Sequence, residues 1–586
     1  MIRFKKPFIY LFIIFSFISL MLCGCIHNKN TAAPPNKTCK VFDSYTKKYF
    51  DSNVKSNGLN LHFLLSKDTD YTDVNMSLGD YSYNSMKAGQ SFYINQINLL
   101  KKIDYNCLDA SRQLTYDVLM DYLKSHLDYA DLCLCTQDLS ETCGVQTQLP
   151  IIFSEYEFYN ETDIKNYLTL LKSVFPFYKQ ICEFQKLKAE NNSFSGTASC
   201  DGVVHQCENF LNNNNLKRNL LNTSFHNRID NVSFLNESQK QSYKNQNETI
   251  IKQNIFPAYQ LIIDTMNSLK ENGFCKNNNG LCYLKNGKDY YEYLVKNNTG
   301  SSLSVMEIKS MIQNQIVSDM KQLYSLISLY PELENNISKT QNLTDAGQIL
   351  GDLEHKYTKD FSSVSPLKYS LKTVDESLRN ASSPAFYIAP PLDNPDSNLV
   401  YINPKKTTDD LYTILAHEGI PGHLYQNAYF SSTKPDPVRH LLDFGGYSEG
   451  WAVYAELLSY HYQYDNEPLA KAMNYNASYS LALYCLCDIG VNYEGWTPKK
   501  LEHFLKNYNI EDAVFCKNIF NEVIENPANY LKYYVGYLEI LKTKKNVMLK
   551  TGADFDLKKF HNALLTIGPA GFDVINKWIM YYYNLQ

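Results

Sequence analysis

His417 and His423 flank Glu418 in the stretch His-Glu-Gly-Ile-Pro-Gly-His, residues 417–423. Two imidazoles beside a carboxylate are the donor types of a catalytic zinc site, with nitrogen ligands for the ion and a base for a water molecule. On a regular helix such ligands sit at i and i+4, one turn apart on one face. Here the separation is six residues. That spacing rotates the second histidine by about 240° and lifts it roughly 9 Å along the axis. Both nitrogens must lie about 2 Å from one ion, so an unbroken helix cannot serve. Pro421 has no N–H to offer the carbonyl of His417, which calls for a kink or bulge between Glu418 and His423. The spacing therefore predicts a distorted backbone that turns both imidazoles towards one point.

Two histidines leave a catalytic zinc one protein ligand short. A carboxylate on a nearby helix, a few tens of residues on, would complete the set. The stretch from Gly446 to Glu456 offers two, Glu449 and Glu456. At i and i+7 they share a face but lie roughly 10 Å apart, so they cannot easily bind the same ion. Glu449, just after the Gly445-Gly446 bend, is the expected third ligand. Glu456 is expected to orient a ligand histidine. Glu418 would then take a proton from water and pass it to the leaving amine. His440, His461 and His503 have no such context and read as structural or surface residues.

The elements that must hold these groups are mostly helical. Thr407-Thr408-Asp409-Asp410 reads as a capping box, with Thr407 as N-cap and Asp410 at N3. Leu411, Ile414 and Leu415 follow on one inward face. Similar i, i+3, i+4 patterns recur at Tyr116-Val118-Leu119-Tyr122-Leu123, at Tyr167-Leu168-Leu170-Leu171-Val174 and at Met306-Ile308-Met311-Ile312-Ile316. Strand signals are few: Phe386-Tyr387-Ile388 and Leu399-Val400-Tyr401-Ile402. The Asn-rich residues 191–247 read as a long loop or a polar helix pair. The fold class is mainly α.

The chain has 586 residues, 44% apolar content and a net charge of -5. No basic run speaks for nucleic acid or an anionic membrane surface as a partner. Arg3, Lys5 and Lys6 precede an apolar run at residues 8–22, which is a secretory signal pattern. Its ending, Leu22-Cys23-Gly24-Cys25, resembles the lipobox of bacterial lipoproteins. Residues 1–25 are then the signal, Cys25 the lipidated residue, and residues 26–45 a polar tether to the membrane. No later run of 18 apolar residues calls for a second membrane segment. Setting aside Cys23 and Cys25, the 15 cysteines leave 13, too sparse and odd-numbered for a disulfide framework. The exported location still permits bridges. Cys275 and Cys282 flank the Asn279-Gly280 turn and are placed to bridge a small hairpin, while Cys133/Cys135 and Cys485/Cys487 read as buried thiols.

These motifs resemble the bacterial domain-of-unknown-function family 885, a family similar to zinc metallopeptidases. The resemblance rests on His-Glu-Gly-Ile-Pro-Gly-His at 417–423 and on Tyr-Ser-Glu-Gly-Trp-Ala-Val-Tyr-Ala-Glu at 447–456. Further blocks are Asp488-Ile489-Gly490-Val491-Asn492 with Gly495-Trp496, Pro527 through Tyr533 to Gly536, and Phe560-His561 with Leu564, Leu565 and Gly568. Gly144-Val145-Gln146-Thr147-Gln148-Leu149-Pro150 and Ser154-Glu155-Tyr156 extend it into the N-terminal half. In the fourth block relatives usually carry Gly-Gln where this chain has Ala528-Asn529.

The resemblance implies a large helical architecture of two halves around a central cleft, similar to neurolysin-like and thermolysin-like zinc peptidases. Residues 46–300 would form the N-terminal half and residues 301–586 the C-terminal half with the metal site. It also makes Tyr533 a candidate donor to a developing oxyanion and His561 a candidate substrate contact. The expectation is an extracytoplasmic zinc-dependent peptidase with one Zn2+, lipid-anchored to the bacterial cell membrane and acting on oligopeptides. Its rivals are a non-catalytic peptide- or metal-binding lipoprotein and a zinc amidase acting on cell-wall peptides.

Overall fold

The computed structural model describes residues 37–65, 71–212, 216, 218–333, 345–364, 367–374, 376, 379, 382–406 and 410–585. The signal segment, Cys25 and Thr407 lie outside the described residues. Helices follow one another from Lys37–Val54 to Phe572–Tyr582, so the protein is mainly α. Residues 37–45, assigned to a polar tether from sequence, are already helical, with Cys39 and Phe42 buried. The Asn-rich stretch is likewise helical at Thr197–Asn212, Leu220–Asn231 and Glu237–Ile250. Each of these helices buries at least three side chains, enough to override weak local propensity. No helix among the described residues is long and apolar enough to cross a membrane.

Two large hydrophobic cores and one small cluster hold the described residues together. One core collects side chains between residues 59 and 269. The other joins the first helices, through Phe42, Phe50, Leu100, Val118 and Leu123, to residues 281–583. Local periodicity tells which face of a helix is buried but not against which core.

The three strands among the described residues form one small sheet in the order β1 (Tyr369–Thr373), β3 (Asn398–Ile402), β2 (Ala385–Ile388). β1 runs parallel to β3, and β2 antiparallel to it. Alternation sends the two faces apart. The stacked pair Phe386 and Tyr401, 4.7 Å between ring centres, packs with Ile151 and Leu220. Ala385 and Val400 turn to the core that carries the histidines. The sequence located β2 and β3 but not β1. β2 pairs only with β3, so its outer edge is free to meet the motif helix.

Candidate metal centre

The motif helix is short and ends abruptly. It spans Leu411–Glu418, with Asp410 just before its first residue rather than at N3. The capping-box reading is therefore wrong in register at Asp410, and His417 arrives after under two turns. The backbone then leaves the helix completely. The Ile420–Pro421 bond is cis, and a new helix, His423–Ser432, begins at the second histidine. A break thus replaces the expected bulge. Gly422 donates its N–H to Ala416 O at 2.8 Å, folding the turn back on the helix it has left. A Cβ at Gly422 would sit 1.8 Å from His417 O, so only glycine allows this approach. Trp451 fastens the turn from the other side by donating Nε1–H to Pro421 O at 2.9 Å.

The candidate third ligand, Glu449, comes from the helix Gly445–Gln463, which crosses the helix Asn529–Thr551 at van der Waals distance. A Cβ at Gly450 would meet the backbone of Gly536 at 2.4 Å. This glycine crossing brings Lys532 and Tyr533 up beside Glu449. Glu449 Oε2 lies 3.3 Å from His423 Nε2 and 3.7 Å from His417 Nε2. One donor atom from each of the three residues lies within 4.8 Å of the others. Around a tetrahedral zinc with bonds near 2.1 Å, ligand atoms stand about 3.4 Å apart. The set therefore needs only a small contraction to close on an ion. Glu449 Oε2 is buried and makes no hydrogen bond of acceptable geometry, an arrangement costly for a carboxylate unless a cation shares the site.

Electrostatics point the same way. Burial pulls the His417 imidazole down, but the carboxylates of Glu449 and Glu456 outweigh it and raise the pKa to about 10. The pocket thus demands positive charge, which either a proton or a metal ion can supply. His417 Nδ1 donates to Glu456 Oε2 at 2.9 Å, which fixes the ring and aims Nε2 at Glu449. Burial lowers the pKa of His423 and keeps it neutral, as a ligand must be. Burial opposes ionisation of Glu449, yet His417, His423 and Lys532 hold its pKa well below the usual carboxylate range. Burial raises Glu418 to about 8. Its Oε2 accepts the N–H of Tyr387 from the free edge of β2 at 3.1 Å. Tyr533 is buried with its ring centre 6.3 Å from that of His417. Burial, followed by the charges of Glu449 and Glu418, pushes its pKa well above the usual value, so it remains a hydrogen-bond donor.

His423 and Glu449 also line a cavity of ≈ 900 Å³. Tyr93, Tyr122, Tyr290 and Tyr293, from residues before 300, also line it, and Lys532 and Asp443 lie near the triad. The cleft lies between the parts of the chain before and after residue 300, though not between the two cores. Lys532 Nζ is 3.9 Å from Glu449 Oε1.

One expected site residue does not reach the site. His561 is fully buried, 0% exposed. Its Nε2 accepts from Tyr454 OH and its Nδ1 donates to Asp360 O, both at 2.9 Å. The ring is stacked on Phe361 and meets Trp451 edge-on. It is not among the residues that line the cavity, and its surroundings are those of a packing histidine rather than the expected substrate contact. Sequence reasoning in turn missed Lys532, Asp443 and the Tyr387 amide. The first is adjacent to Tyr533 and the second lies two residues before the glycine bend, but the third acts through its backbone and leaves no residue-type signal.

A profile of the bacterial family described as a protein of unknown function, DUF885, matches residues 67–579. The chain belongs to this family. Among solved structures, the DUF885 chain is similar to a candidate lipoprotein from Colwellia psychrerythraea, with 18% identity over 94% of this chain and 99% of that one, at a TM-score of 0.80. A candidate lipoprotein of unknown function from Shewanella oneidensis aligns with 16% identity over 93% of this chain and 99% of that one, at a TM-score of 0.64. At such identities the likeness is one of fold. No curated protein matches the chain.

Proposed function

We propose that this protein is an extracytoplasmic, lipid-anchored zinc-dependent peptidase acting on oligopeptides. The observation that carries the reading is the convergence of His417, His423 and Glu449, the last two lining a peptide-sized cavity, with Glu418 beside the first ligand. Zinc bound by these three residues would supply Lewis acidity to the scissile carbonyl and to a water molecule. The remaining steps belong to the chain itself. Glu418, buried and with a pKa near the working range, takes a proton from the attacking water and returns it to the leaving amine. Tyr533, held protonated, donates its hydroxyl to the developing oxyanion. Glu456 keeps the His417 ring in the ligand orientation. A cavity of ≈ 900 Å³ suits a short peptide better than a folded domain. The Cys25 lipobox of the sequence supports the anchoring, in keeping with the candidate lipoproteins that share the fold.

The direct test is Glu418→Gln with metal content and peptide turnover measured on the same preparation. Zinc should stay stoichiometric while turnover of a peptide library falls by roughly 10²–10⁴-fold. Zinc retained with unchanged turnover would overturn the hydrolytic mechanism. Purified protein that neither contains zinc nor takes it up would overturn the metal site.

A further inference from the structure

Cys275 does not face Cys282, the partner suggested by the sequence. Cys282 Sγ points to Val491 O, 3.6 Å away on the other core. Cys275 Sγ instead lies 2.9 Å from Cys200 Sγ. We propose that Cys200 and Cys275 form a disulfide that fastens the passage of the chain from one core to the other.

The two backbones are already held in place around the sulfurs. Ser195 and Asn277 form an isolated parallel bridge. Thr197 donates its N–H to Asn278 Oδ1 at 2.8 Å and its hydroxyl to Cys275 O at 3.3 Å. Asp201, next to Cys200, is ion-paired with Lys270. Closing the bond, about 2.05 Å long, moves the two sulfurs by roughly 1 Å in total. Cys200 belongs to the helix Thr197–Asn212 in the first half of the chain. Cys275 opens the connection that leads from the helix Phe256–Glu271 into the other core. That connection docks at once, with Leu281 N–H donating to Asn492 Oδ1 and Tyr283 OH to Gly495 O. A bond at Cys275 therefore fixes the near end of the joint.

The chemistry needs a disulfide oxidant such as glutathione disulfide. Cys275 is partly exposed and Cys200 is buried, so Cys275 reacts first. Its thiolate attacks one sulfur of the oxidant, forming a mixed disulfide and releasing one glutathione thiolate. Cys200 then attacks Cys275 Sγ and releases the second. The two protein sulfurs lose two electrons, the oxidant gains them, and the two thiol protons go to the departing thiolates.

The test is a thiol map of the intact chain. Reduced protein is equilibrated with glutathione disulfide, remaining thiols are alkylated under denaturing conditions, and peptides are identified by mass spectrometry. A peptide pair joined through Cys200 and Cys275, lost on adding dithiothreitol, supports the proposal. Alkylation at both cysteines, or a Cys275–Cys282 pair, overturns it. Reducing the oxidised protein should lower its Tm by roughly 5 °C. Cys200→Ser should match the reduced protein and ignore reductant. An unchanged Tm despite the cross-link would refute the fastening role. The wild-type map needs no variant to fold.

Discussion

His417 and His561 are both buried, and both approach Trp451: the first through the Pro421 turn that Trp451 holds, the second by edge-on ring contact. Their electrostatic states are nevertheless opposite. His417 faces Glu449 and Glu456, and its pKa rises to about 10. His561 hydrogen-bonds a backbone carbonyl and a tyrosine hydroxyl instead of a carboxylate, and burial takes it down to about 3. Burial alone neutralises an imidazole, and only nearby carboxylates reverse that. The first pocket attracts a cation. The second is a neutral packing unit that braces the wall behind the first.

The largest effect should come from removing the carboxylate that separates the two cases. Glu449→Ala is expected to abolish stoichiometric zinc binding and reduce peptide hydrolysis to background, measured by metal analysis and turnover. The equivalent change in the other pocket, His561→Phe, should leave zinc affinity intact, and a loss of zinc there would erase the distinction. Next in size, Glu456→Ala frees the His417 ring and should weaken zinc roughly 10–100-fold in a competition titration. An unchanged affinity would show that the His417–Glu456 contact has no positioning role.

A smaller effect tests the neutral pocket through pH. With a folded pKa near 3 and an unfolded value near 6.5, His561 binds a proton only in the unfolded chain between those limits. Stability through this group is therefore full above pH 6.5 and is lost as pH falls. Between pH 7 and pH 5 the loss is about 2 kcal/mol. His561→Phe should cost about 2 kcal/mol at pH 7, because Asp360 O and Tyr454 OH lose their partner. The gap between variant and wild type should then close towards pH 5 in urea titrations. A gap that widens would mean that His561 is charged in the folded state.

The smallest effect concerns the helix that brings Tyr533 and Lys532 to the first pocket. Ala528 precedes it at φ 61°, in the left-handed region that favours glycine. Ala528→Gly should stabilise the fold by about 1 kcal/mol in a denaturant titration without altering zinc affinity. A shift in zinc affinity would mean that this backbone position also sets the pocket.

Much of the candidate metal centre was legible in the residues themselves. His417, His423, Glu449 and Glu456 declared themselves by type and spacing, because metal ligation restricts which side chains can serve and how far apart they can be. Pro421 and Gly422 signalled a departure from the helix, though the pattern suggested a bulge and the chain makes a full break. His561 read the same as a ligand or substrate histidine because one-dimensional context carries no partner list. Cys275 chose Cys200, 75 residues away, over Cys282 seven residues on, since helix packing and not chain proximity sets sulfur distances.

By itself, the sequence determined that the chain is mainly helical, that no regular helix runs through the motif and which side chains are able to hold a cation. The tertiary structure alone decided which of those side chains meet. The Gly450–Gly536 crossing puts Lys532 and Tyr533 beside Glu449, and the free edge of β2 gives Glu418 an amide partner. It also decided which histidine faces carboxylates and which is only buried. Periodicity and residue type are local properties, whereas a pKa depends on whatever charges the fold brings within a few ångströms.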